Sequence, residues 1–256
     1  MFFLGILYIF KTYYYFPIGV LTTSIVHKID ISGNLLKYIA ILAMFFDHFV
    51  SVFVCQPDII GSLLRVPGRL TAPIMCYLIA EGFYYTSNLR RYTKRLFLFA
   101  LISHFPYVWY FNLPWWGATS VMWSLTLGLL ALSIIKRGSG PLWSKPICVG
   151  VCCLLAYTAD WNFIAVLWIL FFGLYRGDFK KQMLSFSVIG LFLYIFPTIL
   201  RSGILSAYAF GIFLVIPLLF FYHGRQGRKS KFLKWGFYIF YPVHLLLLYF
   251  FRLWLL

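Results

Sequence analysis

Residues 36–55 read LKYIAILAMFFDHFVSVFVC, and the fold class follows from what that stretch requires. Twenty residues of helix rise ~30 Å, the thickness of a bilayer's hydrocarbon core. The apolar run is unbroken rather than alternating, so it reads as a membrane helix and not as a strand of an outer-membrane barrel. Eight more runs of this kind follow, at roughly 68–86, 95–112, 120–135, 145–158, 161–176, 182–200, 203–222 and 235–255. The fifth and sixth are short, with Ala159-Asp160-Trp161-Asn162 between them, as in a tight helical hairpin or two tilted helices. The expectation is an all-α, polytopic bundle of nine to ten membrane helices.

Composition agrees. The 256 residues are 62% hydrophobic and 11% charged, against ~25% charged in a soluble domain. One soluble core could not hide that apolar surface, and disorder needs far lower hydrophobicity. Lysines and arginines outnumber acids 22 to 6. In a membrane chain such an excess first reads as the cytoplasmic-loop bias, and no nucleic-acid partner is expected. Seventeen of the cations fall in alternate loops, beginning with the one before residue 36; the opposite set holds Arg65, Arg69, Arg201 and Arg252. The alternation reads as a multi-pass membrane protein with residue 36 entering from the cytoplasm; together with the family resemblance given below, the expected location is a bacterial cytoplasmic (inner or plasma) membrane. Residues 1–33 form a separate amino-terminal unit, read as an extra membrane segment or an interfacial helix, ahead of a main domain over 34–256. The five cysteines, Cys55, Cys76, Cys148, Cys152 and Cys153, have no metal-ligand spacing and read as small buried hydrophobes. No metal is expected.

Ionisable groups within membrane spans are functional candidates, and here they are Asp47, His48, Glu81, His104 and His244. Lys37 and His48 stand eleven residues apart, ~16.5 Å along a helix and within ~20° of one face. A cation at the cytoplasmic mouth, aligned with an imidazole at membrane depth, suits a ligand with an anionic head and a reactive tail. Acyl-coenzyme A has that form. Lys37 would hold phosphate, and His48 would take a proton from an attacking hydroxyl or amine. The competing reading makes Lys37 an orienting loop cation and His48 a hydrogen-bonded core residue. Asp47 points ~100° away from His48, toward a histidine on another helix such as His244, or toward an arginine. Arg69 opens the second span and would bind an acceptor, position a carboxylate or snorkel to headgroups. His244 follows Pro242, which kinks its helix and makes a pocket wall or a structural joint. The cations Arg90, Arg91, Lys94 and Arg95 are candidates for the coenzyme's phosphates, or plain orientation signals.

The run Leu36–His48 resembles the opening motif of the TraX family. Gly68-Arg69-Leu70, Pro73, Glu81-Gly82-Phe83, Thr86, Asn88 and Tyr92–Leu96 look like its second block, and Asp160-Trp161 and Phe237–Leu245 are similar to its later ones. The resemblance covers about residues 34–250. It implies a membrane acetyltransferase, with acetyl-CoA as donor and an extracytoplasmic protein amine or surface glycan as acceptor. The related transmembrane acyltransferases carry Arg or Lys, ten residues, then His on an early span, a pattern that Lys37 and His48 match. It implies catalytic roles for His48, Asp47, Glu81 and His244, and an acceptor-side role for Arg69. Two other classes stay open on sequence alone: a proton-coupled transporter or flippase, and a non-enzymatic assembly factor for a pilus or conjugation machine.

Overall fold

The computed structural model describes residues 30–54, 58–228 and 230–255. The amino-terminal unit expected over 1–33 lies, apart from 30–33, outside these residues, as does Cys55.

Among the described residues the chain folds into nine antiparallel rods. Helix α1 (Gly33–Phe53) is capped by Ser32, whose hydroxyl accepts from Leu35 N. A short α2 (Ile59–Arg65) runs through a tight turn (Pro67–Leu70) into α3 (Thr71–Tyr85). Helices α4 (Leu89–Tyr110), α5 (Val121–Arg137), α6 (Ser144–Leu155) and α7 (Asn162–Leu174) follow. Helix α8 (Phe179–Ile189) passes through a widened turn into α9 (Phe196–Ser202). A tightened stretch (Ile204–Leu214) leads to α10 (Val215–Phe220), and α11 (Lys231–Leu255) closes the fold.

Among the described residues, four continuous stretches are long and apolar enough to cross a membrane: 33–53, 59–85, 179–202 and 231–255. Helices α6 and α7, of 12 and 13 residues, rise only ~18–20 Å. They form the tight hairpin, shorter than the ~30 Å of a full hydrocarbon core. Helix α4 is long, but its first two turns carry Arg90, Arg91, Lys94 and Arg95, so only its second part is apolar.

Loop hydrogen bonds tie the two ends together separately. At the basic end, Gly33 N donates to Arg225 O and Ile31 N to Phe221 O, both 2.9 Å or less, and Tyr85 OH reaches Gly224 O. At the opposite end, Asp160 N donates to Thr119 O and Thr119 N to Thr158 O. The core lies around α5 and α7, where Trp168, Phe172, Leu129 and Leu132 are fully buried. These two helices touch through Gly128 against Ile169 and Gly173 against Leu132; a Cβ on either glycine would fall 2.5 Å from the facing side chain. Small residues permit such close approach where lipid gives helices no hydrophobic reason to associate. Outward, Leu42, Leu184 and Leu247 are each more than 60% exposed, an apolar coat that only lipid satisfies.

Candidate functional site

A cavity of about 680 Å³ runs along the bundle between the two ends, in the size range of small-molecule sites. Lys37, Arg95, Arg228, Lys231 and Lys234 line it at the basic end, and Asp47, His48, Arg69 and Asp160 line it at the other. Lys37 and His48 therefore share one face of α1. Lys37 Nζ also sits 5.3 Å from the Phe237 ring centroid on α11. The other three expected phosphate-binding cations, Arg90, Arg91 and Lys94, are exposed on α4 and do not line the cavity. Helical spacing explains Lys94 and Arg90, ~100° and ~140° around α4 from Arg95; Arg91 shares the Arg95 side one turn earlier and is exposed outside the cavity all the same.

His48 is 7% exposed and His244 2%. His48 Nδ1 lies 2.8 Å from His244 Nε2, and the two rings are parallel within 3°. The second nitrogen of His244, Nδ1, is 2.9 Å from the Phe240 carbonyl. A carbonyl only accepts, so Nδ1 of His244 carries the proton and donates. In a neutral imidazole the other nitrogen then accepts, so His48 Nδ1–H donates to His244 Nε2. The network assigns His48 the tautomer with a bare Nε2. That nitrogen has no protein partner among the described residues, and His48 lines the cavity. The backbone that carries the ring is tied as well: the His48 carbonyl accepts from Tyr110 OH (2.7 Å) and Ser51 Oγ (2.8 Å).

Asp47 takes the arginine alternative. Its carboxylate accepts from Arg69 Nη2 and lies 3.7 Å from Arg65 Nε. Arg69 also donates to Tyr194 OH (3.1 Å) and stacks on Trp161, its guanidinium 5.6 Å from the ring centroid. Arg65 donates to Tyr208 OH. Gly68 makes the cluster possible, because a Cβ there would collide with the Asp47 side chain. Residues 56–67 read as a loop from sequence, so Arg65 was not singled out. Its signal was present: Asp58 before Ile59-Ile60 is an N-cap pattern, and Asp58 Oδ1 accepts from Gly61 N at 2.7 Å.

Glu81 stands apart from His48. It lies twelve residues beyond Arg69 on the same rod, ~18 Å toward the basic end. There Arg176 clasps it with two hydrogen bonds, 2.7 and 3.3 Å, and stacks on Tyr84 and Tyr85. Glu81 thus walls the basic part of the cavity instead of touching the imidazole. His104 lies on α4 and does not line the cavity. Trp115 and Trp116 are more than 60% exposed near the far end, as members of an interfacial belt are.

Fold and site together define a polytopic helical membrane protein whose transverse cavity joins a cationic mouth to a buried histidine pair. The profile of the TraX protein family matches residues 32–252, and the chain belongs to that family. It is 33% identical over 236 residues, 86% of this chain and 96% of the relative, to a probable fimbrial assembly protein FimC of serogroup H1 from Dichelobacter nodosus. No solved structure matches the chain at a significant level.

Proposed function

We propose that this protein is an integral membrane acyltransferase. It moves an acetyl group from acetyl-CoA, entering at the basic end, to an amine or hydroxyl of an acceptor at the opposite end, with His48 as general base. The observation that carries the reading is the bare Nε2 of His48 in the same cavity as Lys37 and Arg95. The cations hold the coenzyme's phosphates as charge-assisted partners, and the acyl-bearing arm extends toward His48. As the acceptor attacks the thioester carbon, its proton passes to His48 Nε2. The tetrahedral intermediate collapses, the C–S bond breaks, and the thiolate takes that proton from His48. His244 keeps the imidazole turned the productive way throughout. Asp47, tied to two arginines, fixes the turn that closes this end of the cavity rather than the ring itself.

The positive-inside bias supports a cytoplasmic position for the basic end, where acetyl-CoA would be drawn. The relative's name, a probable fimbrial assembly protein, favours a surface appendage protein as the acceptor; a surface glycan is the alternative that the family resemblance leaves open. The same name favours a second reading, an assembly factor without chemistry. Purified wild-type protein and His48→Ala, in nanodiscs with labelled acetyl-CoA, separate the two. The acyltransferase reading expects coenzyme A release that falls at least a hundredfold in the variant. Equal rates in both, with the variant folded, overturn it.

A further inference from the structure

Acyl transfer places negative charge on the carbonyl oxygen as the tetrahedral intermediate forms, and donors already aimed at that oxygen are usually the largest single source of rate. His48 does not serve it, because its bare Nε2 only accepts. A donor has to stand elsewhere on the cavity wall, and Tyr241 does. It is 3% exposed on α11 and lines the cavity together with His48. Its hydroxyl makes no hydrogen bond of good geometry to the described residues. A buried hydroxyl without a partner leaves its desolvation unmet, and native structures seldom tolerate such a group without a use for it.

The position of Tyr241 suits that use. It stands one turn before His244, ~4.5 Å toward the basic end, and its ring meets the His244 ring edge-on, centroids 5.6 Å apart. His244 in turn stacks on His48 at 5.1 Å. A thioester arriving from the basic end therefore meets Tyr241 as it reaches the imidazole. The phenol oxygen stands beside Ser120 and Val121, where α5 begins. The main-chain N–H groups of a helix's first turn are donors without intrahelical partners, so the oxygen faces donors on that side and its own proton is left for the cavity. The surroundings are rigid. Asp160 N donates to Thr119 O and Thr119 N to Thr158 O, which ties the start of α5 to the turn between α6 and α7. In that turn Trp161 and Asn162 hold positive φ, 52° and 30°, a strained region for side-chain-bearing residues. The Asp160 carboxylate is also within electrostatic reach of Tyr241, but Arg65 and Arg69 compensate its charge.

We propose that Tyr241 is a catalytic residue, whose hydroxyl donates a hydrogen bond to the thioester carbonyl oxygen and holds the negative charge that forms there. The idea rests on the acyltransferase reading. The acceptor's nitrogen or oxygen bonds to the carbonyl carbon, its proton goes to His48 Nε2, and the π pair of the C=O bond moves onto the oxygen. Tyr241 keeps its proton and shares it with that oxygen. As the C=O bond re-forms the C–S bond breaks, and the departing thiolate takes the proton from His48. The full charge exists only in the intermediate and the transition states beside it, so the hydrogen bond strengthens there and raises rate more than donor affinity. The other unpartnered N–H donors lining this end are Arg65 Nε and Arg69 Nε, both on guanidiniums whose charge Asp47 already meets.

The test compares wild-type protein with Tyr241→Phe in nanodiscs, by spectroscopy, kinetics and stability. The probe is acetyl-CoA carrying carbon-13 in its carbonyl, read by isotope-edited infrared spectroscopy with no acceptor present. The labelled stretch is expected to move to lower frequency on binding to wild type, and that shift to be lost in Tyr241→Phe. The kcat for coenzyme A release is expected to fall about a hundredfold, while KM for acetyl-CoA changes less than threefold. The unfolding midpoint is expected to hold or rise, because the hydroxyl removed had no partner to lose. Wild-type kcat in the variant, or a carbonyl shift that survives in it, overturns the assignment and leaves the acyltransferase reading standing. A lower midpoint with kcat and donor affinity lost together marks a packing role and overturns the assignment as well. Wild-type protein that neither binds acetyl-CoA nor releases coenzyme A overturns the acyltransferase reading, and the assignment with it.

Discussion

Replacing His244 by phenylalanine isolates the histidine pair from the packing around it. The His244 ring stacks on Phe240, centroids 4.8 Å apart and planes within 8°, and a phenyl ring preserves that stack and the volume. What disappears is the acceptor 2.8 Å from His48 Nδ1. His48 is 7% exposed, so its Nδ1–H is left unsatisfied, at a cost of about 1–3 kcal/mol. The ring can escape only by moving its proton to Nε2, which removes the base from the cavity. At ~1.4 kcal/mol per tenfold change in rate, kcat falls about 5- to 150-fold. The affinity for acetyl-CoA holds, because Lys37 and Arg95 are untouched. His244→Gln, which returns an acceptor oxygen, recovers part of the loss. The assay is steady-state coenzyme A release in nanodiscs, with thermal unfolding as a check on the fold. Wild-type kcat in His244→Phe refutes the tautomer argument. So does a loss that is equal in the Gln and Phe variants and accompanied by weaker donor binding.

The cluster around Asp47 and the cationic mouth give further expectations. Asp47→Asn strands the Arg69 charge, 8% exposed, and is expected to destabilise the protein by about 3–5 kcal/mol, whereas Asp47→Leu with Arg69→Met regains most of that; denaturant titration of a double-mutant cycle reads the coupling. Gly68→Ala drives a methyl into the Asp47 side chain, with a loss of about 1–3 kcal/mol and loosening of the ion pair, seen as a lower unfolding midpoint. Lys37→Glu weakens acetyl-CoA binding more than tenfold, while joint replacement of Arg90, Arg91 and Lys94 by alanine, outside the cavity, changes it less than threefold; equilibrium binding decides.

The rods, their number and the segregation of charge were legible in the sequence because each is written in a local pattern. A run of ~20 apolar residues needs no tertiary information to declare itself. The shared face of Lys37 and His48 was equally local, a matter of helical angle. What could not be read was which rods meet. Asp47 offered two partners, a histidine or an arginine, and choosing Arg69 required the close approach that Gly68 permits. His244 was a candidate wall, yet its bond to His48 joins residues 196 apart. Glu81 lay on the same span as Arg69, and the helical rise alone separates their ends. Arg65 and Asp160 looked like loop residues, because a short capped helix and a strained turn lift them into the cavity only in three dimensions.

The claim on which the account turns is that the acyl group crosses from the basic end to the opposite end by way of His48. Sealed proteoliposomes test it, with protein inserted so that the basic end faces outward, labelled acetyl-CoA added outside, and an amine peptide trapped within. The account predicts label on the trapped peptide with wild-type protein and at least a hundredfold less with His48→Gln. Label that never reaches the lumen, or reaches it equally in both, contradicts it.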